Sequence, residues 1–344
     1  MTNKLTAKQK KIYDYIQKYL AQHHFPPTLK IIATDFKKSI PTIHQYLTAM
    51  KNNHLDPFSD PSTHLHRNYS LGIIGFGIVG QAVAYGFSNY EIHTYDKYQS
   101  TESLPSVVKK SEFIFVCLPT PIKSDESGID LSIIEDNLQQ ITKYTDNTDK
   151  IIVIKSTVIP GTTARLAAEY SKSHFCFNPE FLREASFLQD FVNTDRIIIG
   201  ADNDLIFRRV SALYQSIMPS APIFNTDPTS AEMVKYMANC YLATKVIFAN
   251  EMYDLCQTLD IKYEEVKKMV VADKRIADTH LDVTTNRGFG GKCFPKDLLA
   301  LRALAKSKKV DVSILDSVWK KNLALRKIHD WEEIPFAVTK TKKT

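Results

Sequence analysis

The sequence has few cysteines, few glycines and no long apolar run, and these shortages exclude several classes of protein. Its five cysteines in 344 residues form no CxxC pair, so neither a disulfide framework nor a cysteine-ligated metal site is predicted. No apolar segment approaches the roughly 20 residues that a membrane span needs. The first residues also lack the apolar core of a secretory signal. We therefore expect a soluble, cytoplasmic protein with reduced thiols, no metal and no membrane partner.

The charge is unevenly distributed along an otherwise ordinary globular composition. Hydrophobic residues make up 44% of the chain and charged residues 24%, and the length suits about two domains. Residues 1–70 contain ten Lys or Arg against four Asp or Glu, whereas residues 71–344 contain 34 of each kind. The excess positive charge therefore lies in the N-terminal segment, which predicts an acidic partner, nucleic acid first, for that segment alone.

The first 50 residues have the pattern of three short helices. Apolar residues recur at helical spacing in 8–20, a break follows at 23–28, and shorter helical patterns cover 29–36 and 39–50. We predict a three-helix module over residues 1–52. The next segment, 53–69, is predicted to be a linker because it is rich in Asn, Asp, Pro, Ser and His and has no clear periodicity.

From Leu71 onward, short apolar strands alternate with helices. The predicted strands cover residues 71–75, 92–96, 113–118, 151–155, 174–177 and 197–200. This alternation is typical of an α/β fold with a doubly wound parallel Rossmann sheet, which we place at 70–210. A long central helix without Gly or Pro is predicted from Ser230 to about Leu259. Helices from Pro295 and Ser313 complete a small helical domain over 228–330.

A glycine motif follows the first predicted strand and opens a helix. Gly75 permits a tight turn, Gly77 lets a pyrophosphate approach the backbone, and Gly80 lets the helix pack closely on the strand. The phosphates would lie at a helix N-terminus, where free N–H groups favour anions. A glycine-rich turn that binds nothing is the structural alternative.

An acidic residue stands where a dinucleotide ribose would lie. Asp96 follows Gly75 by 21 residues, at the end of the second predicted strand. Its carboxylate would accept the ribose hydroxyls and repel a 2′-phosphate, so NAD is predicted rather than NADP, although the neighbouring Lys97 weakens that preference. The predicted cofactor-binding residues of this region are Gly75, Phe76, Gly77, Ile78, Val79, Gly80, Asp96 and Lys97.

Cys293 lies in the segment RGFGGKCFPKD, residues 287–297. A glycine-rich loop thus brings a thiol to the start of a predicted helix, between Lys292 and Lys296. Both the helix N-terminus and the two lysines are expected to favour the nucleophilic thiolate. Asp297 lies one helical turn further, close enough to share a site with the thiol. The other four cysteines lie in strand or helix patterns and are predicted to be buried apolar residues.

Two pairs of polar residues have i,i+4 spacing, which would place each pair on one helix face. They are Glu180 with Glu184, and Lys235 with Asn239. A solvated helix face is the structural alternative for both pairs. A helix cap is the corresponding alternative for Thr157, which follows the fourth predicted strand.

Four segments together resemble the signatures of the UDP-glucose/GDP-mannose dehydrogenase family. They cover residues 155–163, 178–190, 231–239 and 288–297, in an order and at separations that fit the family from about residue 70 to 310. The resemblance implies that a primary alcohol is oxidised twice, through an aldehyde to a carboxylate, while two NAD are reduced. UDP-glucose is the nucleotide sugar that it favours, and a homodimer formed through the long helix is also implied.

The resemblance also implies a catalytic set. Cys293 would attack the aldehyde, and the second oxidation would leave a thioester for water to hydrolyse. Lys235 and Asn239 would stabilise the alkoxide and the later oxyanions. The implied catalytic residues are Cys293, Lys235, Asn239, Asp297, Glu184 and Thr157.

Water, substrate and cofactor contacts follow from the same resemblance. Asp297 and Thr157 would hold the water used in proton transfer, and Glu184 would serve the hydrolytic water. Glu180 would orient Lys235 or the substrate. A further residue, Arg275, would cross to a neighbouring subunit's sugar site. The implied substrate-binding residues are Glu180, Phe181, Leu182, Arg275, Gly290 and Lys296. The additional cofactor-binding residues are Pro119, Thr120, Thr157 and Glu184.

Two features depart from the family pattern. Only 47 residues follow Asp297, too few for more than one βαβ unit of roughly 30 or more residues. The family's second α/β domain, which grips the nucleotide of the sugar, is therefore expected to be absent. The segment between residues 96 and 113 is short and lacks the family's substrate-loop pattern. The substrate could thus be a weakly held nucleotide sugar, a smaller alcohol, or a molecule held partly by a partner chain.

The first 50 residues resemble the DNA-binding domain of LexA-type repressors, through segments 5–9, 25–28 and 39–47. The resemblance implies a winged-helix-like module whose third helix enters the major groove. A Lys stands where the turn usually has Gly, and the wing lacks Gly, so a helical interaction or dimerisation module is the alternative. The implied DNA-binding residues are Lys37, Lys38, Ser39, Thr42, His44, Gln45 and Lys51.

Two functions of different classes are compatible with these motifs. The first is an NAD-dependent nucleotide-sugar 6-dehydrogenase, acting on UDP-glucose and carrying an added DNA-binding-like module. The second is a DNA-binding regulator that uses the dehydrogenase body to sense NAD(H) or a sugar nucleotide. The complete catalytic set favours the first, because a sensor does not need Cys293.

Overall fold

A computed structural model describes residues 5–23, 27, 29–52, 69–99 and 102–339 of the chain. The N-terminal module consists of helices α1 (Ala7–His23), α2 (Leu29–Asp35) and α3 (Ile40–Asn52), which confirms the three predicted helices. Their apolar stripes, which include Ile12, Ile16 and Ile43, form one small buried cluster. The predicted wing and nearly all of the predicted linker lie outside the described residues.

A seven-stranded sheet forms the body of the protein, in the order β2-β1-β3-β4-β5-β6-β7. Its strands are β1 (Ser70–Ile74), β2 (Glu91–Tyr95), β3 (Phe113–Val116), β4 (Ile151–Ile154), β5 (His174–Phe177), β6 (Ile197–Gly200) and β7 (Ile223–Thr226). The six predicted strands are present, with ends that shift by at most two residues. Neighbouring strands are parallel except β5 and β6, which meet antiparallel at Phe177 and Gly200. The Rossmann sheet is therefore confirmed, although its strands are parallel only within two blocks, β2-β1-β3-β4-β5 and β6-β7.

The strand β7 is missing from the predicted set. It lies at the edge of the sheet and carries no buried residue, and its Phe224 is 54% exposed. An edge strand of this kind has no continuous apolar run, so the sequence gives no signal for it. The sheet thus extends beyond residue 210, the predicted end of this domain.

Helices cover both faces of the sheet. They are α4 (Ile78–Gly86), α5 (Leu104–Lys110), α6 (Ser132–Thr145), α7 (Thr162–Glu169), α8 (Phe187–Val192) and α9 (Asp204–Gln215). Residues of α4, α8 and α9 pack on one face of the sheet, and residues of α5, α6 and α7 pack on the other. Burial on both faces explains why the inner strands read as uninterrupted apolar runs.

The long helix α10 (Pro228–Thr258) follows β7. Asp227 caps it by accepting a hydrogen bond from Ser230 N at 2.9 Å. Three further helices complete this part: α11 (Tyr263–Val270), α12 (Phe294–Ser307) and α13 (Ser313–Leu325). A second core, with Ile247, Leu298 and Trp319, lies between α10, α12 and α13. Among the described residues, no helix combines the length and the apolar character that crossing a membrane would require.

Candidate active site

Cys293 lies immediately before α12, at the end of a glycine-rich loop. Gly288 and Gly291 adopt left-handed backbone conformations, with φ of +51° and +72°, which glycine tolerates without a steric penalty. All five thiols are free; Cys293 is exposed, whereas Cys117 is half-buried and the other three are buried. The loop therefore presents the most accessible of the five thiols.

The surroundings of Cys293 disfavour its thiolate. Its pKa is raised because the surrounding protein desolvates the thiolate, and because Glu180 and Asp297 repel its negative charge. Lys235 and Lys296 act in the opposite direction without compensating. Each of these lysines is already paired with a carboxylate. The prediction that flanking lysines and the helix N-terminus favour the thiolate is therefore wrong for this structure.

Asp297 lies in the first turn of α12, with its carboxylate fully buried. Its Oδ2 accepts a hydrogen bond from Asn239 Nδ2 at 2.5 Å, and its Oδ1 accepts one from Lys296 Nζ at 2.5 Å. Asp297 N donates to Cys293 O at 2.9 Å, so the carboxylate lies one turn below the thiol. The negative charge of Asp297 is close enough to the thiol to raise its pKa, and a shared catalytic site stays a prediction.

Lys235 and Asn239 lie one turn apart on α10, and both are buried. Lys235 Nζ donates to the backbone oxygen of Glu180 at 2.7 Å and to Glu180 Oε1 at 2.8 Å. Burial alone lowers the pKa of Lys235, but the negative charges of Glu180, Asp297 and Cys293 raise it overall. The i,i+4 spacing thus marks a buried helix face rather than a solvated one.

The other i,i+4 pair, Glu180 with Glu184, does not share a helix face. Glu180 lies in the irregular segment after β5, where its Oε2 accepts a hydrogen bond from Leu182 N at 2.8 Å. That backbone N–H is therefore used by a side chain instead of a helical carbonyl. Glu184 begins a 3₁₀ turn (Glu184–Ser186), and its side chain is exposed.

The remaining predicted substrate residues lie in different settings. Phe181 packs beside the Lys235–Glu180 pair, with the Arg196 guanidinium 4.0 Å from its ring centre. Leu182, Gly290 and Thr157 are half-buried and Lys296 is buried. Arg275 is exposed and pairs with Asp273 at 2.5 Å, so it does not join this cluster within one chain.

A buried lysine at the end of β4 was absent from the predicted site. Lys155 Nζ donates to Asn178 Oδ1 at 2.7 Å and to Tyr214 OH at 3.3 Å. Burial lowers its pKa to about 8. The network fixes Asn178, two residues before Glu180. A charged residue directly after an apolar strand is the sequence signal that could have identified it.

The glycine motif has the shape that a dinucleotide requires. A Cβ at Gly75 would lie 2.5 Å from Cys117 O, and one at Gly80 would collide with Gly75 O. Gly77, in contrast, faces open space, with no atom within 4 Å of where its Cβ would be. It precedes α4 without a side-chain cap, so the N-terminal N–H groups of this helix are available to an anion.

The predicted ribose carboxylate is in place beside this turn. Asp96 Oδ2 accepts a hydrogen bond from Phe76 N at 2.8 Å, and its Oδ1 accepts one from Tyr98 N at 2.9 Å. Each carboxylate oxygen has a second lone pair for a ribose hydroxyl. Lys97 is exposed. The predicted cofactor residues Pro119 and Thr120 follow β3, Thr157 follows β4, and Ile78 and Val79 begin α4. These residues fit a bound dinucleotide.

The N-terminal module exposes most of its predicted DNA-binding side chains. Lys37, Lys38, Ser39, His44 and Gln45 are exposed, and Thr42 is half-buried. Ser39 Oγ accepts a hydrogen bond from Thr42 N at 3.3 Å, so this residue also caps α3. Lys37 adopts φ +50°, the conformation that glycine would take in the turn. The Lys51 side chain lies outside what the structure describes. The described residues contain no cluster of three potential metal ligands.

Comparison with known families gives three matches. A model of the UDP-glucose/GDP-mannose dehydrogenase family, NAD binding domain, matches residues 89–218. The model of the central domain of the same family matches residues 229–324. A LexA DNA binding domain model matches residues 2–53. The two dehydrogenase models together cover more than half of the chain.

Individual relatives agree with these matches. The chain is 40% identical over 223 residues to a UDP-glucose 6-dehydrogenase of Rickettsia felis. The alignment covers 62% of this chain and 48% of that protein. It is 34% identical over 229 residues to the UDP-glucose 6-dehydrogenase TuaD of Bacillus subtilis, covering 64% of this chain and 48% of that protein. The chain spans about half the length of the curated relatives it matches.

Solved structures share the fold. A UDP-glucose dehydrogenase from Pyrobaculum islandicum has a TM-score of 0.66 and 30% identity, over 74% of this chain and 68% of that one. A UDP-D-ManNAc dehydrogenase from Pyrococcus horikoshii, at 22% identity, has a TM-score of 0.63 over the same fractions. The second likeness concerns the fold alone.

Proposed function

Because this chain belongs to the UDP-glucose/GDP-mannose dehydrogenase family, we propose that it is an NAD-dependent nucleotide-sugar 6-dehydrogenase that converts UDP-glucose to UDP-glucuronate. The observation that carries the proposal is the arrangement around the accessible thiol of Cys293. Lys235, Asn239 and Asp297 are buried beside it and joined by hydrogen bonds to one another or to Glu180. Buried charged groups that interact with one another in this way are concentrated at functional sites of proteins.

The cofactor would lie over the glycine motif. The uncapped N-terminus of α4 would hold the pyrophosphate next to Gly77, and Asp96 would accept the ribose hydroxyls. The same carboxylate would repel the 2′-phosphate of NADP. When bound, NAD would supply the hydride acceptor, with one NAD consumed in each of the two oxidations.

The first oxidation converts the primary alcohol to an aldehyde. The Lys235 ammonium and the Asn239 amide would stabilise the alkoxide, because their donors are fixed before the reaction starts. A water held by Asp297 and Thr157 would take the alcohol proton. The Lys235–Glu180 pair keeps the ammonium in place and charged during this step.

The second stage uses the thiol. Cys293 sulfur attacks the aldehyde carbon, a C–S bond forms, and the thiol proton leaves to water or to a neighbouring base. Oxidation of this adduct leaves the acyl group as a thioester on Cys293. A water positioned by Glu184 then attacks the carbonyl carbon and breaks the C–S bond, which releases the carboxylate and restores the thiol.

The substrate part of the proposal depends on the sugar contacts. Glu180, Phe181, Leu182, Gly290 and Lys296 would line the site of the sugar from within one chain. Arg275 would reach the sugar of a second copy, since its guanidinium is exposed and, among the described residues, is paired with Asp273. The names of the relatives support UDP-glucose over other nucleotide sugars.

A direct test measures NADH formation by the purified chain with NAD and each of UDP-glucose, GDP-mannose and UDP-N-acetylmannosamine. We expect turnover with UDP-glucose, and a Cys293→Ser variant should fail to release the acid. The absence of NADH formation with every sugar, despite NADH binding, would reject the enzyme and favour the NAD(H) or sugar-nucleotide sensor.

A homodimer through α10 is part of the proposal. Four large apolar side chains on this helix are strongly exposed, at spacings of four and seven residues: Met237 (70%), Tyr241 (64%), Phe248 (57%) and Leu255 (52%). A row of exposed apolar side chains at helical spacing is typical of a buried interface.

DNA binding by the N-terminal module is a second proposed function. The match to the LexA DNA binding domain, the exposed polar residues of α3 and the positive charge of residues 1–70 support it. Lys37 and Lys38 would contact phosphates, while His44 and Gln45 would face bases. The five free thiols support the proposal of a cytoplasmic location, since thiols stay reduced there. A NADH-dependent change in DNA affinity would link this function to the sensor alternative.

A further inference from the structure

The loop that carries Cys293 is held by side chains from distant segments. Asn322 on α13 accepts a hydrogen bond from Phe289 N at 2.7 Å and donates one to Phe289 O at 3.1 Å. Asn250 on α10 accepts one from Gly288 N at 3.2 Å. These two amides fix the beginning of the loop, up to four residues before the thiol.

An ion pair beyond α13 holds the end of the loop. Asp330 accepts a hydrogen bond from Gly291 N through both carboxylate oxygens, at 3.3 Å and 3.2 Å. Arg326 Nη2 donates to Asp330 Oδ2 at 2.9 Å, and its Nη1 donates to Arg287 O at 3.2 Å. Arg326 is 9% exposed. The pair therefore grips the loop at both ends, and Gly291 lies two residues from the thiol.

The pair also fills the space over Gly290. A Cβ at this position would collide with Asp330 Oδ1 and with the Arg326 guanidinium, so a larger residue would have to displace the pair. Gly291 has a left-handed φ and no atoms near its Cβ position. Because the loop has no side chain of its own at either position, its place is set by what contacts its backbone.

The segment 326–339, which we call the strap, is anchored at two further places. Trp331 is 3% exposed, with its ring centre 5.6 Å from that of Trp319 on α13. Further along, Ile122 N donates to Ala337 O at 2.8 Å, and Thr339 N donates to Ile122 O at 2.7 Å. Ile122 belongs to the segment after β3. The strap thus connects the thiol loop to the segment after β3, which also carries the predicted cofactor residues Pro119 and Thr120.

We propose that Asp330 is a positioning residue for Cys293, acting through Gly291 N. This inference rests on the proposed function only in that it makes Cys293 the nucleophile. The glycines leave the loop backbone free to adopt several conformations. The Asp330 carboxylate, which is itself held by Arg326, limits this freedom through its contact with Gly291 N. Displacements of about 1 Å in a reacting group can reduce turnover by about a hundredfold. Loss of the Asp330 contact should therefore displace the thiol without removing any group that touches the substrate.

The test compares Asp330→Ala, Asp330→Asn and a matched control, Asp316→Ala. Asp316 forms an ion pair with Arg302 at 2.5 Å that joins α13 to α12, but it does not touch the loop. The readouts are the rate of Cys293 alkylation by iodoacetamide across pH, followed by mass spectrometry, and kcat and KM for the sugar. NADH affinity and urea unfolding show whether each variant keeps its overall structure.

We expect Asp330→Ala to alkylate faster than the parent at pH 8, because a released thiol becomes better solvated and its pKa falls toward the ordinary value of about 8.5. Its kcat should fall by about tenfold or more, with a smaller change in KM. Asp330→Asn keeps an oxygen for Gly291 N and should lie between Asp330→Ala and the parent. Asp316→Ala should match the parent in every readout.

An unchanged alkylation profile in Asp330→Ala would overturn the proposal. So would a changed profile accompanied by lost NADH affinity or non-cooperative unfolding, since the effect would then be global. Alkylation does not require turnover, so the experiment still decides the positioning role if the chain oxidises none of the tested sugars.

Discussion

The Asn239 amide and the Asp297 carboxylate meet at 2.5 Å, which joins α10 to the first turn of α12 beneath the thiol. Both side chains are buried. Asp297 also holds Lys296, so one carboxylate organises groups from two helices. This hydrogen bond is therefore a buried polar link between the helix that carries the oxyanion donors and the helix that follows the nucleophile, two helices that also pack through apolar side chains.

Removal of this carboxylate should strongly destabilise the fold. Asp297→Ala would leave the buried Lys296 ammonium without its partner, and breaking a buried pair in this way costs about 3–5 kcal/mol. The free energy of unfolding, measured in urea, should fall by that amount. The partly exposed pair of Asp316 with Arg302 provides the control, because Asp316→Ala should change stability by less than about 1 kcal/mol. Equal effects of the two substitutions would contradict this interpretation of the buried network.

Two glycine substitutions should separate cofactor binding from folding. Gly77→Ala adds a methyl group into open space, so stability should stay within about 0.5 kcal/mol of the parent, while NADH affinity falls because the methyl group obstructs the pyrophosphate. Gly80→Ala should instead destabilise the fold, because its Cβ would collide with Gly75 O. NADH fluorescence titration and urea unfolding of both variants measure the difference. Retained NADH affinity in Gly77→Ala would argue against a dinucleotide at this turn.

The buried Lys155 should make stability depend on pH in the alkaline range. Its pKa is lowered from 10.5 to about 8 by burial, so between these values the unfolded state binds more protons and stability rises with pH. We expect the free energy of unfolding of the parent, minus that of Lys155→Met, to increase by about 3 kcal/mol across this window.

The comparison with Lys155→Met is needed because buried thiols act in the opposite direction. Burial raises the pKa of Cys176 and Cys240 to about 12, so their contribution is complete below the ordinary thiol pKa and is lost as pH rises toward 12. The parent and Lys155→Met share Cys240, so the difference removes its contribution. Cys176 interacts with Lys155 and belongs to the same titrating group. A difference that stays constant from pH 8 to 10.5 would show that Lys155 titrates normally.

The exposed stripe of α10 should determine the oligomeric state. Tyr241→Glu places a charge in the proposed interface, and we expect it to convert the dimer to a monomer in analytical ultracentrifugation. Leu205→Glu is the matched control, because Leu205 on α9 is 62% exposed but lies outside the stripe. A dimer that persists in Tyr241→Glu, or a parent that is monomeric, would refute an interface on this face.

The salt dependence of DNA binding should show whether lysines of the N-terminal module neutralise DNA phosphates. If Lys37 and Lys38 each neutralise one phosphate, each Lys→Ala change should reduce the slope of log K against log salt by about 1. Fluorescence anisotropy with duplex DNA at several salt concentrations measures this slope. Lys308→Ala, an exposed lysine after α12, should leave it unchanged. If the protein does not bind duplex DNA even at low salt, the DNA-binding proposal is wrong, and the alternative of a helical interaction or dimerisation module is favoured.

The sequence by itself determined the elements whose signals are local. The apolar strands after residue 70, the glycine motif with Asp96, and the uninterrupted α10 all appear where they were predicted, because burial on both faces and backbone clearance impose residue types directly. The four family signatures likewise identified Cys293, Lys235, Asn239 and Asp297 as one set, since their spacings reflect a shared site.

Only the tertiary structure decided how these groups affect one another. The flanking lysine Lys296 lowers the pKa of the thiol, but burial and the negative charges of Glu180 and Asp297 raise it by more. Glu180 leaves the predicted helix because its side chain binds a backbone N–H and the Lys235 ammonium. The contact of Asp330 with Gly291 joins residues 39 positions apart in the sequence, and no local sequence pattern predicts a pairing over that separation. Charge compensation and long-range backbone contacts depend on which segments meet in space, and that is settled by the packing of the whole chain.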